Sequence, residues 1–438
     1  MKIAIVGAGI SGLGCAYALS KIPNIKITLY EGGPHIGGHS NTVDLTLNGV
    51  TQGVDTGFLV FNHRTYPRLI RLFNELDVPI EKSEMSFSAS IPNASNGKIE
   101  WAGTNLNSLF AQRKNIFNLS FLRMIWDILK FNKLCTHFAL NNGLANLHLS
   151  VGEFIDQHGF SKEFRDWYFL PMIGAIWSCP VVQMLDFPIS TMIRFCHNHG
   201  LIKIMDRPQW LTVKGGSRNY VNRICSALKK NGVEFIRKPV EGVSRLNSKV
   251  QIQSSSDTTE YDQVVFASHS DQTLNLLHNP TPEERSILGA IKYQANRAVL
   301  HTDEKLLPNS KNCWAAWNYS CKSTQTDQHV CVNYLINKLQ PIPQEWKNHA
   351  VIVSLNPVTE PSPQKVCADI EYAHPIFDQA AIAAQNNLPL IQGVNNSWFC
   401  GAWTGYGFHE DGLRSGELVA QAIEDLLQTR KVSSLETV

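Results

Sequence analysis

The sequence predicts an α/β fold, and three observations carry that prediction. The chain opens with a short run of β-branched residues, a glycine-rich turn, a helical stretch and a second apolar run that ends in an acid. Toward its far end a short apolar run closes on Gly401, and an amphipathic helix begins at Gly412. The composition between them is ordinary for a globular protein: 438 residues, 43% hydrophobic and 17% charged. That is enough for one or two domains with a real core, and it excludes collagenous, disordered and disulfide-scaffold chains.

The first of these patterns is specific. Lys2 to Val6 reads as a strand, Gly7-Ala8-Gly9-Ile10-Ser11-Gly12 as a turn, Leu13 to Ser20 as a helix and Ile25 to Tyr30 as a second strand, followed by Glu31. This is the order of a Rossmann βαβ unit. Gly7 permits the tight turn, Gly9 lets backbone approach a pyrophosphate, and Gly12 lets helix and strand pack closely. The helix N-terminus offers free N–H groups and the positive dipole end to phosphates. Glu31, nineteen residues after Gly12, is placed to accept from a ribose diol. NAD and FAD share this fingerprint.

Charge and cysteine content narrow the class further. Lys and Arg number 39 against 37 Asp and Glu, a net charge of +2, so no long-range field draws polyanions and nucleic acid is not an expected partner. Ten scattered cysteines with no C-x-x-C pair read as reduced thiols of a cytoplasmic chain. The apolar run from Ile3 to Leu19 imitates a signal peptide, but its regular glycines argue against one. No stretch reaches the ~18 consecutive apolar residues of a membrane span. The expected location is cytoplasmic, at most peripheral to the inner face of the membrane.

Six residues after Glu31 comes Gly37-Gly38-His39, and then Val54-Asp55-Thr56-Gly57-Phe58. An acid, five residues, two glycines and Arg or His, followed by D-x-G, resembles the N-terminus of the flavin amine oxidase superfamily. The resemblance implies FAD, with the paired glycines along the pyrophosphate and the D-x-G backbone against the isoalloxazine ring. FCGAWTGYGFHEDGLRSGELVAQAIEDLL, from Phe399 to Leu427, resembles the superfamily's closing motif, whose helix N-terminus points at the flavin. Backbone N–H groups at Gly412 and Leu413 would then stabilise the charge of the reduced ring. The cofactor set so implied is Gly7, Ala8, Gly9, Ile10, Ser11, Gly12, Glu31, Gly32, Gly37, Gly38, His39, Thr56, Gly57, Phe58, Leu59, Val240, Ser268, Gly401, Asp411, Gly412 and Leu413.

The resemblance also implies a discontinuous cofactor domain of the glutathione-reductase type, residues 1–89, 209–279 and 388–438. It is interleaved with an α+β substrate domain, 90–208 and 280–387. The first insert reads as helical, and the second alternates apolar and polar residues from Arg297 to Asn356. Longer strings, among them LYEGGPHIGGHSNTV, GAIWSCP at Gly174 to Pro180 and PQWLTVKGGSRNYV at Pro208 to Val221, resemble a bacterial group of NAD/FAD-binding proteins. They also resemble the oxidase-like N-terminal domain of plant cyclopropane fatty acid synthases. The methyltransferase domain of the plant enzymes is not expected here.

This branch implies an FAD-dependent oxidoreductase acting on a hydrophobic, fatty-acyl or lipid substrate. Amine or polyamine oxidation is one alternative, and a non-catalytic flavin module partnering a cyclopropane-fatty-acid-type synthase is another. The amine oxidases carry Arg where this chain has His39 and an aromatic residue where it has His409; their lysine near flavin N5 falls at Arg297 by strand matching. His409 could orient substrate or shuttle a proton, or only hydrogen-bond a carbonyl; it and Arg297 are the catalytic candidates.

Cys196-His197-Asn198-His199 places its ligands too close together for one tetrahedral ion and has no partner cluster, so no metal is expected. G-x-S-x-G, H-E-x-x-H and P-loop strings are absent. Between Asn105 and Lys133, Arg113, Lys114, Arg123, Lys130 and Lys133 face only Asp127. Arg123, Asp127 and Lys130 fall on one helical face, so this is either a peripheral membrane contact or a core helix with solvated charges.

Overall fold

The computed structural model describes the chain except residues 95–96, 142, 145–146, 178–182, 204–206, 247, 256, 322–329 and 436–438. Ser178, Cys179 and Pro180 of the GAIWSCP string lie outside the described residues.

The strand Lys2–Val6 is buried from Ile3 onward, as a central strand covered on both faces must be. It pairs in parallel with Lys26–Tyr30 on one side and Gln263–Phe266 on the other. Glu234–Ile236 extends the sheet beyond the first, and Ser397–Phe399 beyond the second. One parallel sheet therefore gathers strands from three distant parts of the sequence. All its strands end at the same edge, where such sheets bind ligands.

Two helices meet at that edge. Ile10–Leu19 starts after Gly9 with no side-chain cap, so its first N–H groups stay available. His409–Leu435 lies against it at very short range. A Cβ on Gly416 would sit 2.2 Å from the Ser11 carbonyl oxygen and one on Gly412 2.9 Å from Ser11 Oγ, while Leu413 fills the space beside Gly14. Glycine on both helices permits the crossing, and it brings the two positive helix ends side by side.

A second sheet of seven strands runs Val366–Ile376, Lys292–His301, Ile352–Leu355, Cys331–Leu335, Trp317–Ser320, Phe87–Ala94, Gly97–Ala102. The first insert thus opens with a hairpin, not a helix, and the expected boundary at residues 89 and 90 falls inside the strand Phe87–Ala94. Buried polar residues hid the strand pattern: Ser88 donates to Asn318 Oδ1 at 2.8 Å and Ser90 to Glu100. Past the hairpin the insert is helical, with Leu119–Leu140, Val151–Gln157, Leu170–Trp177 and Ile189–Asn198 around a core that includes Phe131, Phe154, Phe164, Phe169 and Ile193.

Candidate functional site

The glycine turn is built by exclusion. Gly7 holds φ +105°, donates to Tyr30 O at 2.9 Å, and has Ala267 O where a Cβ would lie. A Cβ on Gly12 would sit 1.9 Å from Gly7 O. Gly9 differs, because nothing lies within 4 Å of its Cβ position. It bridges Gly37, and the paired glycines hold φ +125° and +58°, with Gly38 so placed that a Cβ on it would sit 3.2 Å from Gly9 Cα. The result is an open space lined by backbone and by the free N–H groups of Ile10 and Ser11, suited to a pyrophosphate.

Glu31 accepts from the N–H of Ala8 at 2.9 Å and of Gly33 at 2.7 Å. Two of the roughly four lone-pair positions of its carboxylate remain for a diol. Its own N–H donates to Ile236 O, and Pro239 packs on Gly32, which sets half-buried Val240 beside the same turn. Ser268 follows the central strand; its carbonyl accepts from Trp403 Nε1 at 3.3 Å.

The D-x-G segment is pinned to Gly38-His39. Phe58 N–H donates to His39 O at 2.8 Å, Thr56 N–H to Asn41 O at 3.0 Å, and Leu59 O accepts from Thr212. A Cβ on Gly57 would strike His39 O at 2.3 Å. The His39 ring stacks on Tyr372 with centroids 5.0 Å apart and lies 5.3 Å from His374 and 6.2 Å from His269. Burial, then the neighbouring imidazoles of His374, His269, His409 and His35, hold it well below the usual histidine range. Its Nε2 is buried and has no hydrogen-bond partner among the described residues.

His409 stacks on Phe58 with centroids 3.7 Å apart. Its Nε2 lies 2.8 Å from Ser40 Oγ and 3.2 Å from the Tyr220 hydroxyl, and Ser40 and Tyr220 share a short hydrogen bond. Burial pushes His409 down to about 3 and the Tyr220 hydroxyl up, so both are neutral at pH 7. The three groups form a chain that can hold or pass one proton. Tyr220 is set by Ser217, whose N–H and Oγ both donate to buried Asp55; burial raises Asp55 to about 6 against the lowering bonds of Thr42 and Ser217.

Arg297, Asp411, Gly412 and Leu413 stand elsewhere or do other work. Arg297 is on the outer face of Lys292–His301, bonded to both Asp369 and Glu360. Side chains alternate along a strand, so its neighbour Asn296 points inward instead and meets His374 Nδ1 at 2.9 Å. Asp411 accepts from the N–H of Tyr406 at 3.0 Å and Phe408 at 3.2 Å and pairs with Arg414, so it shapes the loop after Gly401. The Gly412 N–H is inside the helix, donating to Phe408 O at 3.0 Å, and Leu413 lies a residue deeper. The free N–H groups of that helix end therefore belong to the residues before them. Gly401 donates to Ser415 Oγ at 2.9 Å, which ties the closing loop to the helix.

Beside His409 stands an aromatic wall. Phe408 stacks on Phe195 at 5.2 Å, His199 on Phe195 at 3.9 Å, and Trp177, Trp210, Tyr66 and Tyr406 continue it. Burial takes His199 down to about 4 while its Nδ1 meets Phe195 O; Cys196, next to Phe195, is in the helical core. Among the described residues no group of three or more His, Cys, Asp or Glu could hold a metal ion.

The sequence passed over Ser40, Tyr220, Tyr372 and His374. The last two stand two apart on Val366–Ile376, a period-two signal, but one in an insert distant from any motif.

Residues 5–76 match the NAD(P)-binding Rossmann-like domain family. No curated protein matches the chain. Among solved structures it is similar to cyclohexylamine oxidase from Brevibacterium oxydans IH-35A, with TM-score 0.67 at 15% identity over 98% of this chain and 99% of that one. It is equally similar to a CLA-producing fatty acid isomerase from P. acnes, with TM-score 0.68 at 14% identity over 96% and 98%. The chain shares the fold of these two enzymes. Its cradle fits the cofactor that this fold implies, since the space over Gly9, the remaining acceptor sites of Glu31 and the unpartnered His39 Nε2 would meet the pyrophosphate, ribose and ring of an FAD.

Proposed function

We propose that the protein is an FAD-dependent oxidoreductase that oxidises a hydrophobic, fatty-acyl or lipid substrate. The observation that carries this reading is the uncharged aromatic wall standing directly beside the cradle, at Phe408 and His409. Bound FAD supplies a two-electron acceptor that takes a hydride at N5.

The chain's own residues do the rest. The Gly7–Gly12 turn and Gly37–Gly38 hold the cofactor's pyrophosphate, and Glu31 its ribose. The wall excludes water and aligns an apolar chain. His409 Nε2, hydrogen-bonded to Ser40 and Tyr220, stays neutral at pH 7 and orients the reacting end of the substrate.

Charge favours an apolar substrate over a cationic one. His199 and His374, each near 4, and His409, near 3, leave the wall neutral at pH 7. The carboxylates close by are already engaged, Asp55 by Thr42, Ser217 and Gln340, Glu410 by the N–H groups of Arg68 and Leu69, and Asp411 by its loop and Arg414. A protonated amine would find no free counter-charge. The likeness to a fatty acid isomerase supports the acyl reading, and that to cyclohexylamine oxidase supports the amine reading.

Anaerobic stopped-flow separates them. The FAD-loaded protein is mixed with a panel of fatty acids and phospholipids and a panel of amines, and flavin bleaching is followed. Bleaching by lipids only is expected, slowed at least ~10-fold in His409→Ala at unchanged FAD occupancy. Bleaching by amines alone would establish the amine oxidase. FAD bound but bleached by neither panel would point to a non-catalytic flavin module.

A further inference from the structure

The helix Leu119–Leu140 is apolar on two opposite sides. Its inner side, with Phe121, Met124, Phe131 and Cys135, is buried. Its outer side carries Leu119, Leu122, Trp126 and Leu129, spaced three and four residues apart and 81%, 38%, 69% and 44% exposed. The turn Arg113–Phe117 that leads into it adds Phe117 at 86%. A helix apolar all round belongs in a core or in lipid, and an exposed apolar patch of this kind marks a contact surface.

The exposed charges that the segment itself carries are of one sign. Lys114, Arg123 and Lys133 are exposed. The segment's acid, Asp127, expected on the same face as Arg123, is instead turned inward, where it accepts from Ser161 N–H at 2.9 Å. Lys130 leans back onto His158 O and the Phe160 ring. What faces outward is a stripe of Leu, Phe and Trp bordered by cations, with an indole at its centre, the side chain best suited to a water–lipid boundary.

We propose that this face docks on an anionic bilayer surface, with Phe117, Leu119 and Trp126 in the headgroup region and Lys114, Arg123 and Lys133 against acidic headgroups. Charge selects this occupant over a second copy of the chain, because a two-fold contact would set the same cations against one another. The docked helix shares its core with the wall residues Phe195 and Trp177. The inference goes beyond the redox reading and does not depend on it.

The test is flotation of FAD-loaded protein with vesicles of phosphatidylcholine alone or mixed with phosphatidylglycerol. Binding to the mixed vesicles only is expected, weakened by salt as the Debye length shrinks. Phe117→Glu with Trp126→Glu lowers it at least ~10-fold, and so does Arg123→Glu with Lys133→Glu. These side chains are exposed, so the flavin spectrum and melting temperature of each variant stay as in the parent. Protein that remains unbound with both vesicle types, or binds equally after the Phe117 and Trp126 changes, overturns the proposal. So does a dimer in sedimentation that Trp126→Glu splits into monomers. Substrate oxidation is read separately, by flavin bleaching, so failure of one reading is distinguishable from failure of the other.

Discussion

Two glycines three residues apart respond differently to a methyl group. At Gly12 the Cβ would lie 1.9 Å from a backbone oxygen, whereas at Gly9, in extended backbone with φ −75°, it would meet nothing within 4 Å. The space at Gly9 is empty for the chain and open to the ligand. Gly9→Ala should therefore leave the apoprotein within ~0.5 kcal/mol of the parent yet reduce FAD occupancy. Gly12→Ala should cost the apoprotein about 2–3 kcal/mol through overpacking. Urea unfolding of the apoprotein and the flavin-to-protein absorbance ratio check both; full FAD occupancy in Gly9→Ala would show that backbone approach at this position is not used. The glycine pattern was legible in the sequence because spacing alone encodes it. The roles of Ser40, Tyr220 and His374 were not, since Ser40 and Tyr220 meet His409, and His374 meets His39, only in the folded chain.

At the scale of elements, the site depends on one helix crossing. Ile10–Leu19 and His409–Leu435 approach so closely that Gly416 has Ser11 O at 2.2 Å and Cys15 N at 3.1 Å from its Cβ position. Both helix ends reach the cradle through this contact, so a wedge here should disturb cofactor and stability together. Gly416→Ala is expected to lose about 2 kcal/mol and part of its FAD. Leu418→Ala, on the exposed side of the same helix at 57%, should change stability by less than ~0.5 kcal/mol. Denaturant midpoints with and without FAD measure this, and a Gly416→Ala protein as stable as the parent would mean the crossing relaxes freely. The strands and helices of the Rossmann sheet were readable from periodicity because each is buried and regular. The hairpin Phe87–Ala102 was not, because Ser88 and Ser90 are buried polar residues, Ser88 satisfied by the distant Asn318 and Ser90 by Glu100 across the hairpin. Arg297 faces outward to Asp369 and Glu360 while its neighbour Asn296 faces His374, because adjacent strand positions lie on opposite faces.

For the whole molecule, buried neutral imidazoles set the response to acid. His301 is fully buried; its Nδ1 accepts from Asp303 N–H at 3.0 Å, which leaves Nε2–H to donate to Ser354 at 2.7 Å. Burial lowers it to about 4, as it does His199 and His374, and His409 goes to about 3. The unfolded chain takes up these protons near the ordinary histidine value of about 6.5. Between there and pH 4 it binds protons that the native state refuses, so stability falls as pH falls, each ring contributing at most ~1.4 kcal/mol per pH unit. Asp55, raised to about 6, works the other way from pH 6 to its unfolded value near 3.8, because there the native state binds the extra proton. Glu410 and Asp411, raised by burial, act in the same sense as Asp55, but His39, His158 and His269 are lowered as well, so the imidazoles outnumber them. The melting temperature, measured with excess FAD, should drop steadily from pH 7 to pH 5, and His301→Gln should flatten that drop by about one proton's worth. A melting temperature independent of pH over this range would mean these rings are protonated in the folded protein, and the neutral wall beside the cradle would have to be redrawn as a charged one.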